Sequence, residues 1–148
     1  MDESRARAIL TWRYEPPYDA YNEIEEALHL LLDPQNAYYV LVDRQEELVA
    51  YCCFGPDAQV LGGSYSYPAL DIGLGVRPDL TGQGRGHLFV EAVLGFARQL
   101  LAPTLVRVTV AEFNRRALRV WTKAGFQQAQ QFQRIPDGMP FVILMRQA

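Results

Sequence analysis

The chain has 148 residues, of which 49% are hydrophobic and 21% charged, as is typical of one globular domain with a single core. Its formal net charge of -3 excludes a broad basic surface for nucleic acid or for an anionic membrane. The first residues, MDESRARAIL, are acidic at once and contain no long apolar run, so we expect no signal peptide, no membrane-spanning segment and a cytoplasmic location.

Hydrophobic periodicity along the chain changes between the two-residue repeat of strands and the 3.6-residue repeat of helices. The predicted elements are, in order, a strand over 6–14, a helix over 23–33, strands over 37–42, 47–54 and 69–76, a helix from 86 to 102, a strand over 104–111, a helix over 115–124, and strands over 126–135 and 141–147. This order predicts a mixed α/β sheet flanked by helices, in one domain spanning residues 1–148.

Residues with capping and helix-ending preferences stand at the predicted helix ends. Asp19 or Asn22 is a candidate cap for the first helix, which Pro34 ends. Asn114 is the candidate N-cap of the last helix, and Gly125 is its candidate C′ glycine.

The only cysteines, Cys52 and Cys53, are adjacent within a predicted strand. Neighbouring residues of a strand point to opposite faces, so these two are poorly placed to form a disulfide with each other. They also lack the spacing of a zinc site, and we expect no metal. We interpret both as reduced packing residues.

Three glycines, Gly82, Gly84 and Gly86, stand at every second position between a predicted strand and the long helix. The first N–H groups of a helix have no partner within the helix and lie at the positive end of its dipole. Glycines let a phosphate approach these N–H groups with no Cβ in the way. We therefore predict a phosphate site here rather than a merely flexible loop.

Two common phosphate motifs are absent from this loop. The dinucleotide fingerprint G-x-G-x-x-G fails because His87 or Phe89 stands at its third glycine, although Glu112 ends the next strand as a ribose-binding acid would. The pattern G-x-x-x-x-G-K-[ST] fails because no lysine follows Gly86. A nicotinamide dinucleotide protein is therefore disfavoured.

Two motifs of the chain match those of a known superfamily. The stretch V-R-P-D-L-T-G-Q-G-R-G resembles the coenzyme A pyrophosphate loop, R/Q-x-x-G-x-G/A, of the GNAT superfamily of acyl-CoA N-acyltransferases. Thr81 stands at the usual Arg or Gln position, and Gly84 and Gly86 match the two small positions. The stretch N-R-R-A-L-R-V-W-T-K-A-G-F, residues 114–126, is similar to the superfamily's N-x-x-A-x-x-x-Y-x-x-x-G-F. The element order also resembles that of the superfamily across nearly the whole chain.

This resemblance implies an N-acetyltransferase that takes acetyl-CoA and a primary amine of a small molecule or peptide, with direct attack of the amine on the thioester. It implies two splayed central strands that form the acyl-CoA cleft, with pantetheine on the strand backbone and pyrophosphate on the N–H groups of the glycine loop. The implied cofactor-binding residues are Gly75, Val76, Gln83, Gly84, Arg85, Gly86, His87, Asn114 and Trp121.

One carboxylate, Asp71, interrupts the apolar run ALDIGLGV. Burying a carboxylate is costly unless it is hydrogen-bonded or functional. Strand alternation places Asp71 on one face with Gly73 and Gly75, which would leave that face open as a ligand groove. In the superfamily a strand acid near this position often acts as general base, so Asp71 is the candidate catalytic residue. A hydrogen-bonded structural acid is an equally open interpretation.

Trp121 stands where the superfamily usually has a tyrosine that can protonate the leaving thiolate. The indole N–H donates a hydrogen bond but is no practical acid. We predict that Trp121 forms a wall of the cofactor cleft or part of the core. The departure keeps open a different class of function, a sensor that holds an acyl-CoA without turnover.

Three tyrosines, Tyr14, Tyr18 and Tyr21, cluster with Glu15 and Asp19 before the first predicted helix. Aromatic faces and carboxylates suit a cationic amine, so the tyrosines are candidate substrate-binding residues. A rigid, packed connection is the alternative. The superfamily also builds its acceptor site from the loop before the last strand, here RIPDGMP. The sequence leaves the identity of the amine, the acyl chain and a homodimer open.

Overall fold

The computed structural model describes residues 1–148 as a six-stranded sheet with helices on both faces. The helices are α1 (Glu3–Leu10), α2 (Leu28–Leu32), α3 (Gly86–Leu101) and α4 (Arg115–Lys123). The strands are β1 (Tyr38–Val42), β2 (Leu48–Phe54), β3 (Leu70–Val76), β4 (Leu105–Ala111), β5 (Gln127–Gln133) and β6 (Pro140–Gln147). No helix is both long and apolar enough to span a bilayer.

The sheet is mixed, as the sequence predicts. Its strand order is β1-β2-β3-β4-β6-β5, and every neighbouring pair is antiparallel except β3 and β4, which are parallel. The parallel pair follows from the α3 crossover between these strands, because a parallel connection needs a long return path. The predicted mixed α/β fold is confirmed.

The first element differs from the prediction, because residues 3–10 form helix α1 and not a strand. The side chain of Asp2 accepts a hydrogen bond from the Arg5 N–H at 2.8 Å and so caps the helix. Its buried residues Ala6, Ile9 and Leu10 recur at helical spacing. The apolar stretch is too short for its period to outweigh its β-prone end, TWRY, in the sequence alone.

The second helix is shorter than predicted, with a 3-10 turn over Glu25–Ala27 before α2. Neither predicted residue caps it: Asp19 lies in a separate 3-10 turn, and Asn22 Oδ1 accepts a hydrogen bond from the Tyr14 N–H at 2.7 Å. The asparagine instead ties the two ends of the tyrosine-rich connection together.

Two hydrophobic clusters hold the layers together, one on each face of the sheet. The larger packs α3 and α4 against the sheet, and its buried α3 residues are Val90, Val93, Leu94 and Ala97. The smaller joins α1 and α2 beside β2. Cys52 and Cys53 are both free and buried, one towards each face, as expected for packing residues.

The central strands β3 and β4 are splayed. They pair only at Leu70 with Val106 and at Asp71 with Arg107, although each strand continues for several residues further. Beyond these pairs, β3 keeps its ladder with β2 and β4 keeps its ladder with β6. The sheet therefore opens between its two halves, as predicted for the cleft.

Candidate active site

The gap between β3 and β4 is part of a cleft of about 760 Å³. The cleft continues from the gap over the N-terminus of α3 and one side of α4, and tyrosines of the connection after α1 close its other side. Its volume falls within the roughly 300–1,000 Å³ of ordinary small-molecule and cofactor sites.

The three alternating glycines serve two different purposes. Gly82 and Gly84 have φ of +70° and +71°, a left-handed conformation that glycine adopts at little cost. Gly86 begins α3, and a Cβ there would lie 2.9 Å from a methyl carbon of Val120. It therefore allows α3 to approach α4 closely.

The glycine loop presents a row of unused donors. The backbone N–H groups from Gly82 to His87 have no backbone acceptor, and Arg85 at the N-cap position makes no side-chain cap. They lie at the positive end of the 16-residue helix α3. This arrangement is suited to bind a diphosphate.

The side of α4 that lines the cleft is basic. Arg116, Arg119 and Lys123 recur at helical spacing along this side, and His87 lies across from them on α3. The sequence prediction omitted the three α4 residues, although their spacing after the Asn114 cap places them on one helix face. Together with the loop N–H groups, they give this end of the cleft a positive potential.

The backbone of β3 offers hydrogen bonds to the gap from alternate residues. The Arg77 N–H donates to the Val49 carbonyl at 2.9 Å, so Val76 belongs to a non-hydrogen-bonded pair with β2. The N–H and C=O of Val76 and Leu74 therefore point into the gap, whereas those of Gly75 point to β2. Leu74 is a residue that the sequence prediction omitted, and the binding roles of Gly75 and Val76, which both line the cleft, stay predictions.

The glycines of β3 do not leave an open groove. A Cβ at Gly75 would overlap the ring of Tyr51, and one at Gly73 would lie 2.7 Å from the Cys53 sulfur. The space that the glycines leave is thus filled by side chains of the neighbouring strand.

The structure does not bring Asp71 to the cleft. The residue is 4% exposed, and its Oδ1 accepts from Arg107 Nε at 2.6 Å. Its Oδ2 accepts from Arg107 Nη2 at 2.9 Å and from Gln59 Nε2 at 2.8 Å. The Arg107 Nη1 donates to the Tyr67 carbonyl at 2.8 Å. The geometry therefore favours the structural interpretation of Asp71, and its role as general base stays a prediction.

The remaining cofactor residues lie mostly around the cleft. Those that line it are Gly75, Val76, Gly84, Gly86, His87, Asn114 and Trp121, while the side chains of Gln83 and Arg85 are exposed on the loop. Asn114 caps α4 as predicted, since its Oδ1 accepts from the Ala117 N–H at 3.0 Å. Trp121 is 5% exposed and meets Phe126 edge-to-face at 4.9 Å, so it belongs to both the core and the wall of the cleft.

All three predicted substrate tyrosines line the cleft, and each makes a different contact there. The Tyr14 hydroxyl donates to the Val76 carbonyl at 2.7 Å, and burial raises the pKa of Tyr14 to about 12. The ring of Tyr18 is covered by the Arg116 guanidinium at 3.8 Å. The Tyr21 hydroxyl accepts from Asn114 Nδ2 at 3.1 Å. The loop RIPDGMP does not line the cleft.

A family model described as "Acetyltransferase (GNAT) family" matches residues 5–126. The chain belongs to this family. The fold and the enzyme class predicted from the two motifs are therefore confirmed.

Relatives of known name are distant in sequence. Spermidine N(1)-acetyltransferase of Vibrio cholerae is 21% identical over 121 residues, which cover 81% of this chain and 66% of that protein. The chain thus spans just under two thirds of the length of this curated relative.

Solved structures share the fold. A GNAT-family acetyltransferase from Bacillus anthracis has a TM-score of 0.74 at 13% identity, and the match covers 99% of this chain and 91% of that one. A chimera of Vibrio cholerae spermidine N-acetyltransferase SpeG and hSSAT has a TM-score of 0.73 at 16% identity, covering 99% and 92%. At such identities the likeness shows the fold alone.

In the second motif Trp121 stands at the position where the family usually has tyrosine, so α4 carries no phenol in the cleft. The phenols that line the cleft belong to Tyr14, Tyr18, Tyr21 and Tyr51.

Proposed function

We propose that this chain is an acetyl-CoA-dependent N-acetyltransferase that acetylates a primary amine of a small molecule or peptide by direct attack. The observation that carries the proposal is the row of unpartnered N–H groups from Gly82 to His87, which leads into the gap between β3 and β4. Acetyl-CoA, when bound, supplies the thioester that the amine attacks. We expect neither nucleic acid nor a membrane as partner.

The residues of the positive end fit a nucleotide diphosphate. The loop N–H groups bind oxygen atoms without a side-chain charge, and Arg119 and Lys123 add cations along the adjacent helix. The backbone of Leu74 and Val76 offers an extended amide chain a strand-like partner in the gap. An extended ligand can thus reach from the loop into the interior of the sheet.

The reaction requires little acid–base assistance from the protein when the acceptor is an α-amino group, whereas an aliphatic amine, with a pKa of about 10.4 as in lysine, must first lose a proton. An α-amino group has a pKa of about 8, so a useful fraction is neutral at pH 7. A thiolate is a fair leaving group, since the cysteine thiol has a pKa of about 8.5. Trp121 therefore contributes shape to the cleft and no proton, and the proposal does not require Asp71 as base.

The direct test measures thiol release from acetyl-CoA by the full chain with a panel of primary amines. The panel contains aliphatic monoamines, diamines, spermidine and a short peptide with a free N-terminus. Spermidine is included because a curated relative and a structurally similar chimera, both from Vibrio cholerae spermidine N-acetyltransferase, carry its name. Release above the amine-free background supports the proposal, whereas CoA binding without turnover of any amine indicates an acyl-CoA sensor.

Replacing Trp121 tests the proposed division of roles. Trp121→Phe keeps an apolar wall, so we expect turnover within a few-fold of wild type and weaker CoA binding from lost contact area. A collapse of turnover with intact CoA affinity would show that the indole takes part in the chemistry.

A further inference from the structure

One hydroxyl stands at the closed end of the gap, just beyond the point where β3 and β4 separate. Thr109 lies on β4 two residues after Arg107, the last β4 residue that pairs with β3, and it lines the cleft. The Glu112 N–H donates to the Pro140 carbonyl at 2.9 Å, so Thr109 belongs to a non-hydrogen-bonded pair with β6. Its backbone N–H and C=O therefore face the gap.

The side chain of Thr109 projects on the face of the sheet where α1 and α2 pack. Its neighbours Val108 and Val110 belong to the cluster under α3 and α4, and strand alternation places Thr109 on the opposite face. There its hydroxyl meets the segment that connects β2 with β3. Thr109 Oγ1 lies 2.9 Å from the hydroxyl oxygen of Tyr65, which also accepts from the Val60 N–H at 2.9 Å.

The donor and acceptor roles in this chain of hydrogen bonds follow from the number of protons. A phenol has one proton to donate, and Thr109 Oγ1 is the only acceptor that the Tyr65 hydroxyl contacts. Because the Val60 N–H already donates to the phenol oxygen, Tyr65 donates to Thr109. The Thr109 hydroxyl makes no other hydrogen bond, so its own proton has no acceptor in the chain. This proton is available to a ligand in the cleft that Thr109 lines.

Tyr65 is itself held in place from two sides. The Arg107 guanidinium lies over its ring, 4.9 Å from the centroid, and this guanidinium is fixed by the ion pair with Asp71. On the other side Gly63 leaves room for the ring, because a Cβ there would lie 2.9 Å from a ring carbon. The buried ion pair therefore fixes the phenol and, through it, the Thr109 hydroxyl.

The phenols that line the cleft stand nearer its open end, where β3 and β4 finish. They belong to Tyr14, Tyr18, Tyr21 and Tyr51. The first bonds Val76, the next two lie beside Phe113, and the last is paired with Gly75. A ligand with its diphosphate on the glycine loop and its extended chain along β3 passes these groups and ends at Thr109.

We propose that the Thr109 hydroxyl donates a hydrogen bond to the carbonyl oxygen of the acetyl thioester, and that Tyr65 positions this hydroxyl. The carbonyl oxygen gains negative charge while the amine nitrogen forms the C–N bond, and a fixed donor at that oxygen stabilises the charge. Thr109 gives up no proton: the C–S bond breaks with its electron pair on sulfur, and the proton that the nitrogen loses reaches the thiolate through solvent. This inference rests on the proposed function, because it assigns a residue to the reaction in that same cleft.

The test removes the hydroxyl in Thr109→Val and keeps it in Thr109→Ser. Because a donor aimed at developing charge contributes about 100-fold or more to kcat, we expect kcat to fall about 100-fold in Thr109→Val and less than about 5-fold in Thr109→Ser. KM for the amine should change less than about 3-fold in both. Tyr65→Phe keeps the threonine but removes the hydrogen bond that orients it, so kcat should fall about 10-fold. The matched control is Thr104→Val, which removes the hydroxyl of an exposed threonine just before β4 and leaves kcat unchanged.

Calorimetry with acetyl-CoA and with CoA gives a second measurement that does not depend on turnover. CoA lacks the carbonyl, so Thr109→Val should bind acetyl-CoA about 5- to 10-fold more weakly than wild type does and should bind CoA equally well. If wild type acetylates no amine, this selective loss supports the assignment of Thr109 and contradicts the proposed function. An unchanged affinity of Thr109→Val for acetyl-CoA overturns the assignment itself.

The kinetic results can also overturn the proposal. A kcat of Thr109→Val within a few-fold of wild type, or the same loss of kcat in Thr104→Val, contradicts a donor at Thr109. Equal losses in Thr109→Val and Thr109→Ser would make the residue structural, because the serine keeps the hydroxyl. A wild-type kcat in Tyr65→Phe would overturn the positioning role of Tyr65.

Discussion

The two ends of the cleft are built on different principles. The end at α3 consists mainly of backbone N–H groups from one short loop, joined by basic residues of α4, and is positive. The end beside Tyr51 consists of aromatic side chains from segments far apart in the sequence, Tyr14, Tyr18 and Tyr21 after α1 and Tyr51 on β2. A site made of backbone leaves a local glycine pattern in the sequence, whereas a site assembled by a sheet from distant side chains leaves none.

The largest expected effect concerns the point at which β3 and β4 separate, where Asp71 pairs with Arg107. Asp71→Asn leaves the buried Arg107 guanidinium without its counter-charge, which we expect to cost about 3–5 kcal/mol in the free energy of unfolding. Denaturant titration measures this loss. In the variant that remains folded, the pH–rate profile should keep its wild-type shape.

Two further results decide between the interpretations of Asp71. A double variant, Asp71→Leu with Arg107→Met, removes both charges and should recover most of the lost stability, because an apolar pair needs no counter-charge. A stable Asp71→Asn protein whose rate falls at neutral pH and recovers at high pH would instead make Asp71 the general base.

The next prediction concerns only the glycine loop at the N-terminus of α3. Gly84→Val places a Cβ among the loop N–H groups and strains a residue at φ of +71°, so we expect a cost of roughly 1–2 kcal/mol in stability and about a 10-fold loss of CoA affinity. Gly138→Val is the matched control, since Gly138 has φ of +77°, no atom near its Cβ position and no part in the cleft. Calorimetry with CoA should show that only the first variant binds more weakly. Equal CoA affinity in both folded variants would contradict the phosphate loop.

A smaller effect tests the side chains of the positive end. Arg119→Ala and Lys123→Ala should each weaken CoA binding about two- to five-fold, because exposed charges contribute less than about 1 kcal/mol. The loss should shrink as salt is raised. Arg115→Ala, on the same helix and outside the cleft, should bind CoA as wild type does. The same loss in this control would mean that net charge alone attracts CoA.

The smallest effect concerns Glu23, a half-buried carboxylate without an ion-pair partner that lies outside the cleft lining. Because the pKa of Glu23 lies above its ordinary value of 4.5, its ionised form is less favourable in the folded chain than in the unfolded one. The free energy of unfolding of wild type therefore falls as pH rises from the unfolded-state pKa of Glu23 through its higher folded-state pKa. Glu23→Gln should be more stable at pH 7 by about 0.5 kcal/mol or less, since solvent screens a half-exposed group, and equal to wild type below about pH 4. A variant less stable than wild type at pH 7 would show that Glu23 has a counter-charge after all.

The sequence predicted most elements from β1 onwards, because their apolar patterns extend over many residues. In α4, capping residues also mark the helix ends. Asn114 and Gly125 occupy the cap positions that the sequence predicted for α4. Helix α1 was missed because its three buried apolar residues form too short a pattern, although Asp2 was present as a cap.

At the site, the sequence predicted the glycine loop and the tyrosines, but it did not predict the groups that pair with the buried carboxylate of Asp71. Arg107 lies 36 residues after Asp71, and only the parallel register of β3 and β4 places them side by side. The hydrogen-bonding direction of Gly75 and Leu74 likewise depends on strand register, which a single strand's sequence does not contain. The apolar pattern along the chain does not specify which strands pair or in which register.

The two adjacent thiols of β2 provide a built-in probe of local opening. Burial raises the pKa of Cys52 to about 12 and that of Cys53 to about 11, so neither is a reactive thiolate while the sheet is closed. Cys52 packs in the cluster under α3, whereas Cys53 lies against Gly73 on the other face. With Cys52→Ala and Cys53→Ala, the rate of alkylation of the remaining thiol reports separately on the opening of each layer.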